Sequence, residues 1–200
     1  GKSLAQTKIG YVFQNYRDAM FPWLRTIDNI AYPLKLEGKS KAEIKHRVDE
    51  LVASFDVKFD LMRYPYELSG GQQQTASIMR ALAPGPEVLF LDEPFSALDF
   101  EMTLFIREKL QQVFLQTGTT MVLVSHDLEE AVYLADQILL LTKRPTAVAD
   151  ILHYQDPRPR TVETLSQPGF IAAKNLSMEI FQREVRKPAR MQAPGSLTLS

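Results

Sequence analysis

The chain has 200 residues, a formal net charge of −1 at pH 7, no cysteine and 45% hydrophobic residues. That is the size of one ordinary domain with enough apolar side chains for a sizeable core, and the near-zero charge gives no basis for a nucleic-acid partner. Disulfides and thiolate metal sites are excluded, and with no apolar run of bilayer length and no charged-then-apolar leader, a soluble chain with only indirect membrane contact is expected.

In chain order, Gly1-Lys2-Ser3 has the look of the end of a phosphate-binding loop. Such a loop needs a further glycine upstream, a strand before it and a helix of several turns after it. Only Leu4 to Lys8 separate it from the strand-like Ile9-Gly10-Tyr11-Val12-Phe13, too few residues for a helix and a turn. The reading adopted is a Gly-Lys turn feeding a strand that delivers Gln14, whose amide oxygen can ligate a metal. Ser40-Lys41-Ala42-Glu43 is a capping box, and Ile44, Val48, Leu51, Val52 and Phe55 follow at helical spacing, which predicts a helix over about 41–55. Ser69 with Gln72 three residues on predicts a second capped helix running to Leu82, with Gly70 and Gly71 leaving backbone N–H groups uncovered at its positive end.

Val88-Leu89-Phe90-Leu91 after Pro86 reads as a strand buried on both faces, ending in Asp92-Glu93-Pro94. Acids at the C-terminal end of a strand in an open α/β sheet stand where ligands bind. Met102, Phe105, Ile106, Leu110, Val113 and Phe114 mark one face of a helix from Phe100 to Gln116 that stops at Gly118. Met121 to Val124, a helix from Leu128 to Ala135 and Ile138 to Leu141 continue an alternation that implies a largely parallel sheet. From Lys143 a polar, proline-punctuated stretch precedes a helix over Phe170 to Phe181, and 187–200, rich in Pro, Gly and Ser, reads as disordered.

Four stretches stand in order: Tyr11-Val12-Phe13-Gln14, Leu68-Ser69-Gly70-Gly71-Gln72-Gln73-Gln74, Asp92-Glu93-Pro94 with Ser96-Ala97-Leu98-Asp99, and Ser125-His126-Asp127. Together they resemble the nucleotide-binding subunits of ATP-binding cassette (ABC) transporters over about residues 9–185. The Leu-Ser-Gly-Gly-Gln signature is their most specific part. Asp156-Pro157-Arg158-Pro159-Arg160 and the closing Phe-rich helix narrow the resemblance to importers of the nitrate, sulfonate, taurine and bicarbonate group.

The resemblance implies a P-loop NTPase-like α/β fold: a mostly parallel sheet with an inserted helical subdomain and the N-terminal part of the core, with its Walker A loop, missing. It divides the chain into an incomplete nucleotide-binding domain over 1–142, with the helical subdomain at about 16–82, and a C-terminal extension over 143–186. The implied cofactors are ATP and Mg²⁺. Asp92 and Gln14 would hold the metal, Glu93 would accept the proton of the attacking water, and His126 would bond the γ-phosphate. Gln14, Ser69, Gly70, Gly71, Gln72 and Asp99 would contact nucleotide, the signature and Asp99 across a head-to-tail dimer. Thr75 departs from the family, where most relatives carry Arg. The implied partners are permease subunits, a second ATP-binding subunit and, indirectly, a periplasmic or extracellular solute-binding protein. The implied location is the cytoplasmic face of the membrane. Without Walker A, the chain alone is expected to be inactive. Two other classes share these motifs: a soluble ABC protein of translation or DNA repair, and a catalytically dead remnant that only binds partners.

Overall fold

The computed structural model of the chain describes residues 6–186; Gly1-Lys2-Ser3 and the tail over 187–200 lie outside the described residues. Among the described residues, 6–126 together with Arg158–Arg160 form one compact unit, and Asp127–Pro157 with 161–186 form another.

The first unit is built on three parallel strands in the order β1 (Ile9–Val12), β2 (Val88–Asp92), β3 (Thr120–Val124). Between β1 and β2 the chain is helical: α1 (Tyr16–Ala19), α2 (Thr26–Leu36), α3 (Lys41–Ser54), a one-turn 3-10 helix over Pro65–Glu67 and α4 (Gly70–Leu82). α3 has the full capping box that Ser40 and Glu43 predict, which pairs N–H groups a helix start otherwise leaves open. α2 is less legible because Pro33 lies inside it and cannot donate to the preceding turn. Its anchor is the buried Asn29, whose side chain accepts from Phe21 N at 2.8 Å and donates to Phe21 O at 3.0 Å and Leu24 O at 3.1 Å. Arg47 of α3 donates to Leu82 O and Ala83 O, so a guanidinium covers the carbonyls at the negative end of α4.

The core of this unit gathers Ile30, Phe55, Ile78, Met79, Leu89 and Leu91 with Ile106 and Leu110 of α5 (Phe100–Thr117). α5 stops at Gly118, which takes the left-handed φ of 64° that suits glycine. The apolar run over 88–91 predicts burial on both faces; the fold buries Leu89 and Leu91 and leaves Val88 and Phe90 partly open. The reason is register. Tyr11, Phe90 and Val122 lie side by side on one face, and both outer strands leave that face exposed, with Ile9, Tyr11, Phe13, Val122 and Val124 all accessible.

In the second unit α6 (Leu128–Leu134) leads into β4 (Gln137–Leu141). The alternation places β4 in the parallel sheet; instead it pairs antiparallel with β5 (Val148–His153), with a register shift between Leu140 and Leu141. β5 lies in the stretch read as polar and proline-punctuated, where Val148, Ile151 and Leu152 are spaced well enough to pair but bracketed by prolines. A 3-10 helix over Val162–Ser166 and α7 (Pro168–Arg186) complete the unit. Val132, Tyr133, Ile138, Leu140, Phe170 and Ile180 form its core, and Lys174 bonds Glu129 at 2.6 Å between α7 and α6. No described helix is long and apolar enough to cross a membrane.

Candidate functional site

The site begins where β2 ends. Asp92 is the last residue of the strand and lies opposite Val124 of β3 in the parallel ladder. Alternation points its side chain to the open face of the sheet, the face of Tyr11. The Tyr11 hydroxyl donates to Asp92 Oδ2 at 2.9 Å. That bond first, then burial and the carboxylate charge, raises the phenol above its ordinary pKa. The sequence reading places Tyr11 in a strand and in the stretch ending at Gln14 without giving it a role; its position on the carboxylate comes from the pairing of β1 with β2.

Glu93 then turns out of the strand with φ of 46°, a left-handed conformation that costs a non-glycine residue on the order of 1–3 kcal/mol. Three elements hold the turn. Glu93 N donates to Val124 O at 2.9 Å, Ser96 donates to Glu93 O from its N at 3.3 Å and its Oγ at 3.1 Å, and Gln74 Nε2 donates to Pro94 O at 2.6 Å. The turn aims the Glu93 carboxylate at His126, whose Nδ1 lies 2.8 and 2.7 Å from its two oxygens. His126 follows β3 by two residues, so the parallel register that sets Asp92 beside Val124 also brings the two chain exits together. The His126 side chain is 78% exposed while that of Glu93 is 16% exposed, which makes the pair a carboxylate set in a wall with an imidazole over its mouth.

Ser69 opens α4 with the predicted capping box: Ser69 Oγ accepts from Gln72 N at 3.3 Å and Gln72 Oε1 accepts from Ser69 N at 3.0 Å. Gly70 and Gly71 serve packing as well as the bare helix end. A Cβ on Gly71 would stand 2.7 Å from Met102 Cε, and one on Gly70 would meet the Tyr16 hydroxyl. Thr75 is buried and donates to Gly71 O at 2.8 Å, so its polarity is satisfied inside its own helix.

The chain shows the same identity when set against known proteins. The ABC transporter family model matches residues 2–96. The aliphatic sulfonates import ATP-binding protein SsuB of Bacillus subtilis (strain 168) is 38% identical over 176 residues, 87% of this chain and 65% of SsuB. The taurine import ATP-binding protein TauB of Pseudomonas savastanoi pv. phaseolicola is 40% identical over 148 residues, 72% of this chain and 54% of TauB. A solved dimeric ATP-binding cassette, in a post-hydrolysis state bound to ADP and Pi, superposes with a TM-score of 0.58 at 32% identity, covering 66% of this chain and 58% of that one. The chain belongs to the ABC transporter family of ATP-binding proteins. Its fold is that of an ABC ATPase, and it spans just over half to just under two thirds of the relatives named.

Of the residues that the ABC resemblance singles out, the structure joins Asp92, Glu93 and His126 at one end of the sheet. Gln14 is exposed two residues beyond the last residue of β1, which pairs with Leu91, and so it leaves the sheet at the same end. Asp99 has a local duty the sequence reading does not assign: its carboxylate accepts from Met102 N at 2.8 Å and caps α5. Among the described residues no three His, Cys, Asp or Glu side chains converge as a metal cage. The Asp92 carboxylate and the Gln14 amide leave the sheet at this end, and hard oxygen donors of this kind fit Mg²⁺. Ser96, Tyr11 and Gln74 stand inside the quoted stretches, but the sequence reading gives them no role at the site; the groups that place them are the Glu93 carbonyl, the Asp92 carboxylate and the Pro94 carbonyl.

Proposed function

We propose that this chain is the ATP-binding and ATP-hydrolysing part of an importer subunit, and that the cargo is a small anion or sulfonate-like solute. The observation that carries the reading is the Glu93 carboxylate turned by a left-handed backbone onto His126, beside Asp92, in a chain 38% identical to a sulfonate import ATP-binding protein.

In this reading catalysis is positioning and charge stabilisation around the transferred phosphoryl group. Glu93 accepts the proton of the attacking water, His126 bonds the γ-phosphate, and Asp92 and the Gln14 amide oxygen would hold Mg²⁺. Bound there, Mg²⁺ supplies neutralising charge to the phosphate oxygens. Ser69, Gly70, Gly71 and Gln72 present the positive end of α4 to the nucleotide of a second subunit, and Asp99 crosses to that subunit. The permease is met by the helical region, where Trp23 is 71% and Tyr66 is 69% exposed. The solute-binding protein acts through the permease, and the subunit works on the cytoplasmic face of the membrane. The 200 residues on their own carry no Walker A loop, hence no amide cradle or lysine for the β- and γ-phosphates, and alone they do not turn over ATP.

Glu93→Gln tests the assignment in a form of the protein that hydrolyses Mg-ATP. The amide keeps shape and hydrogen bonding but takes no proton, so ATP binding persists and phosphate release falls by on the order of 10²–10⁴-fold. Wild-type turnover in that variant removes Glu93 from the mechanism.

A further inference from the structure

Gln74 lies in α4, three residues after Gly71, and is 0% exposed. Its amide makes one hydrogen bond, from Nε2 to Pro94 O at 2.6 Å, and its Oε1 has no partner. A leucine or methionine would fill this space without leaving an orphaned acceptor, so the amide is a poor choice for packing alone. What it holds is the residue after Glu93. Pro94 has no N–H and its φ is fixed by its ring, so one of the torsions between the Glu93 backbone and that carbonyl is locked.

We infer that Gln74 is a positioning residue that couples α4 to the orientation of the Glu93 carboxylate. Glu93 sits in a left-handed conformation that the surroundings must enforce. Two of its restraints, Val124 O and Ser96, come from the sheet and from the turn itself; the third comes from α4 through Gln74. A shift of α4 along its axis pulls on the Pro94 carbonyl, swings Glu93 relative to His126, and changes the 2.7–2.8 Å contact between them. Because α4 starts at Ser69-Gly70-Gly71, whatever seats against that start is reported to Glu93 through four residues of rigid helix. This rests on the assignment of Glu93 as the base, and it adds a route by which the signature of one subunit sets the base of that same subunit.

The test uses the 200-residue chain with ¹³C-labelled histidine, whose three imidazoles give separate reporters. Wild type, Glu93→Gln and Gln74→Met are compared, with His126→Asn identifying the His126 signal. Methionine keeps the length and flexibility of the side chain and removes the donor. The expected result is a His126 signal displaced from wild type toward its Glu93→Gln position while the His46 and His153 signals stay. A folded Gln74→Met protein whose His126 signal is unmoved overturns the inference. If Gln74→Met does not fold, Gln74→Glu decides. That side chain donates to the Pro94 carbonyl while protonated and cannot once ionised, so the His126 signal matches wild type in acid and departs as pH rises. A signal that tracks wild type after the introduced carboxyl has ionised, followed by that carboxyl's own ¹³C resonance, overturns the coupling. In a form of the protein that hydrolyses ATP, Gln74→Met lowers kcat about 10–100-fold with KM for ATP little changed, because the base is misaimed and not removed. A moved signal with wild-type kcat also overturns the role. Should no form hydrolyse ATP, the assignment of Glu93 fails by that measurement, and the imidazole signals still decide the coupling separately.

Discussion

The two faces of the three-stranded sheet share every strand and differ in almost everything else. On one face Gly10, Val12, Leu89 and Leu91 are buried, and α4 comes so close that a Cβ on Gly10 would stand 2.7 Å from Ala81 O. On the other, Ile9, Tyr11, Phe13, Val122 and Val124 are exposed, and Tyr11 is the one that reaches Asp92. The covered face is where stability resides, and the open face is where the strand delivers its first acid. Glu93, by leaving β-conformation, escapes the alternation and is governed from both: its amide hangs on β3 and its following carbonyl on α4.

Leu89→Ala on the covered face should cost about 2–5 kcal/mol, the range for a buried leucine whose cavity cannot collapse. Val122→Ala, on the open face in the neighbouring strand, should stay near 0.5 kcal/mol, as exposed substitutions do. Urea unfolding of the two variants measures both, and equal losses would mean that Val122 is covered in solution by something that the exposure of this face does not reveal. Gly10→Ala sharpens the same contrast at a smaller scale. The added methyl meets a backbone carbonyl that cannot rotate away, along with Leu89 Cδ1 at 3.0 Å and Pro86 Cγ at 3.2 Å. Overpacking of this kind costs about 1–3 kcal/mol, read as a fall in the urea midpoint with the m-value kept.

What could be read from the letters alone follows from how local each interaction is. The capping boxes at Ser40 and Ser69 span four residues, and both are present as read. Asp92 and Glu93 are legible at the end of an apolar run and His126 through the family resemblance, and the parallel register brings them together. Gln74 was not legible as a site residue, because its partner is a carbonyl twenty positions away that has no side chain to announce it. The Asn29 hub is similar, since three of its bonds go to the backbone of the preceding loop. β4 misled for a different reason. Alternating strands and helices imply a shared parallel sheet, but the hairpin partner β5 was masked by flanking prolines, and antiparallel pairing with it took the edge. The open face was invisible because periodicity reports which residues are apolar, and Val88 and Phe90 are apolar whether or not anything covers them.

The mildest effect bears on the open face alone. The Tyr11 phenol donates to Asp92, and that bond, with burial and the neighbouring charge, lifts its pKa above the ordinary phenol range. The sign follows from which form is favoured. A raised folded-state value means the neutral phenol is stabilised by folding, so the contribution is complete below the unfolded phenol pKa and is lost as pH rises through the higher folded value. Ultraviolet titration of wild type against Tyr11→Phe isolates this one phenol among the seven tyrosines. Asp92→Ala removes both the acceptor and the charge, and the Tyr11 curve should then move down toward the ordinary phenol position, keeping only the part that burial contributes. Asp92→Asn keeps an acceptor and drops the charge, and should move it part of the way. Since Asp92 is reached from the open face, anything that seats there and takes its carboxylate should move the phenol in the same direction as Asp92→Ala. A Tyr11 curve indifferent to Asp92 would mean that the two side chains do not meet, and that the acid faces solvent with no partner from β1.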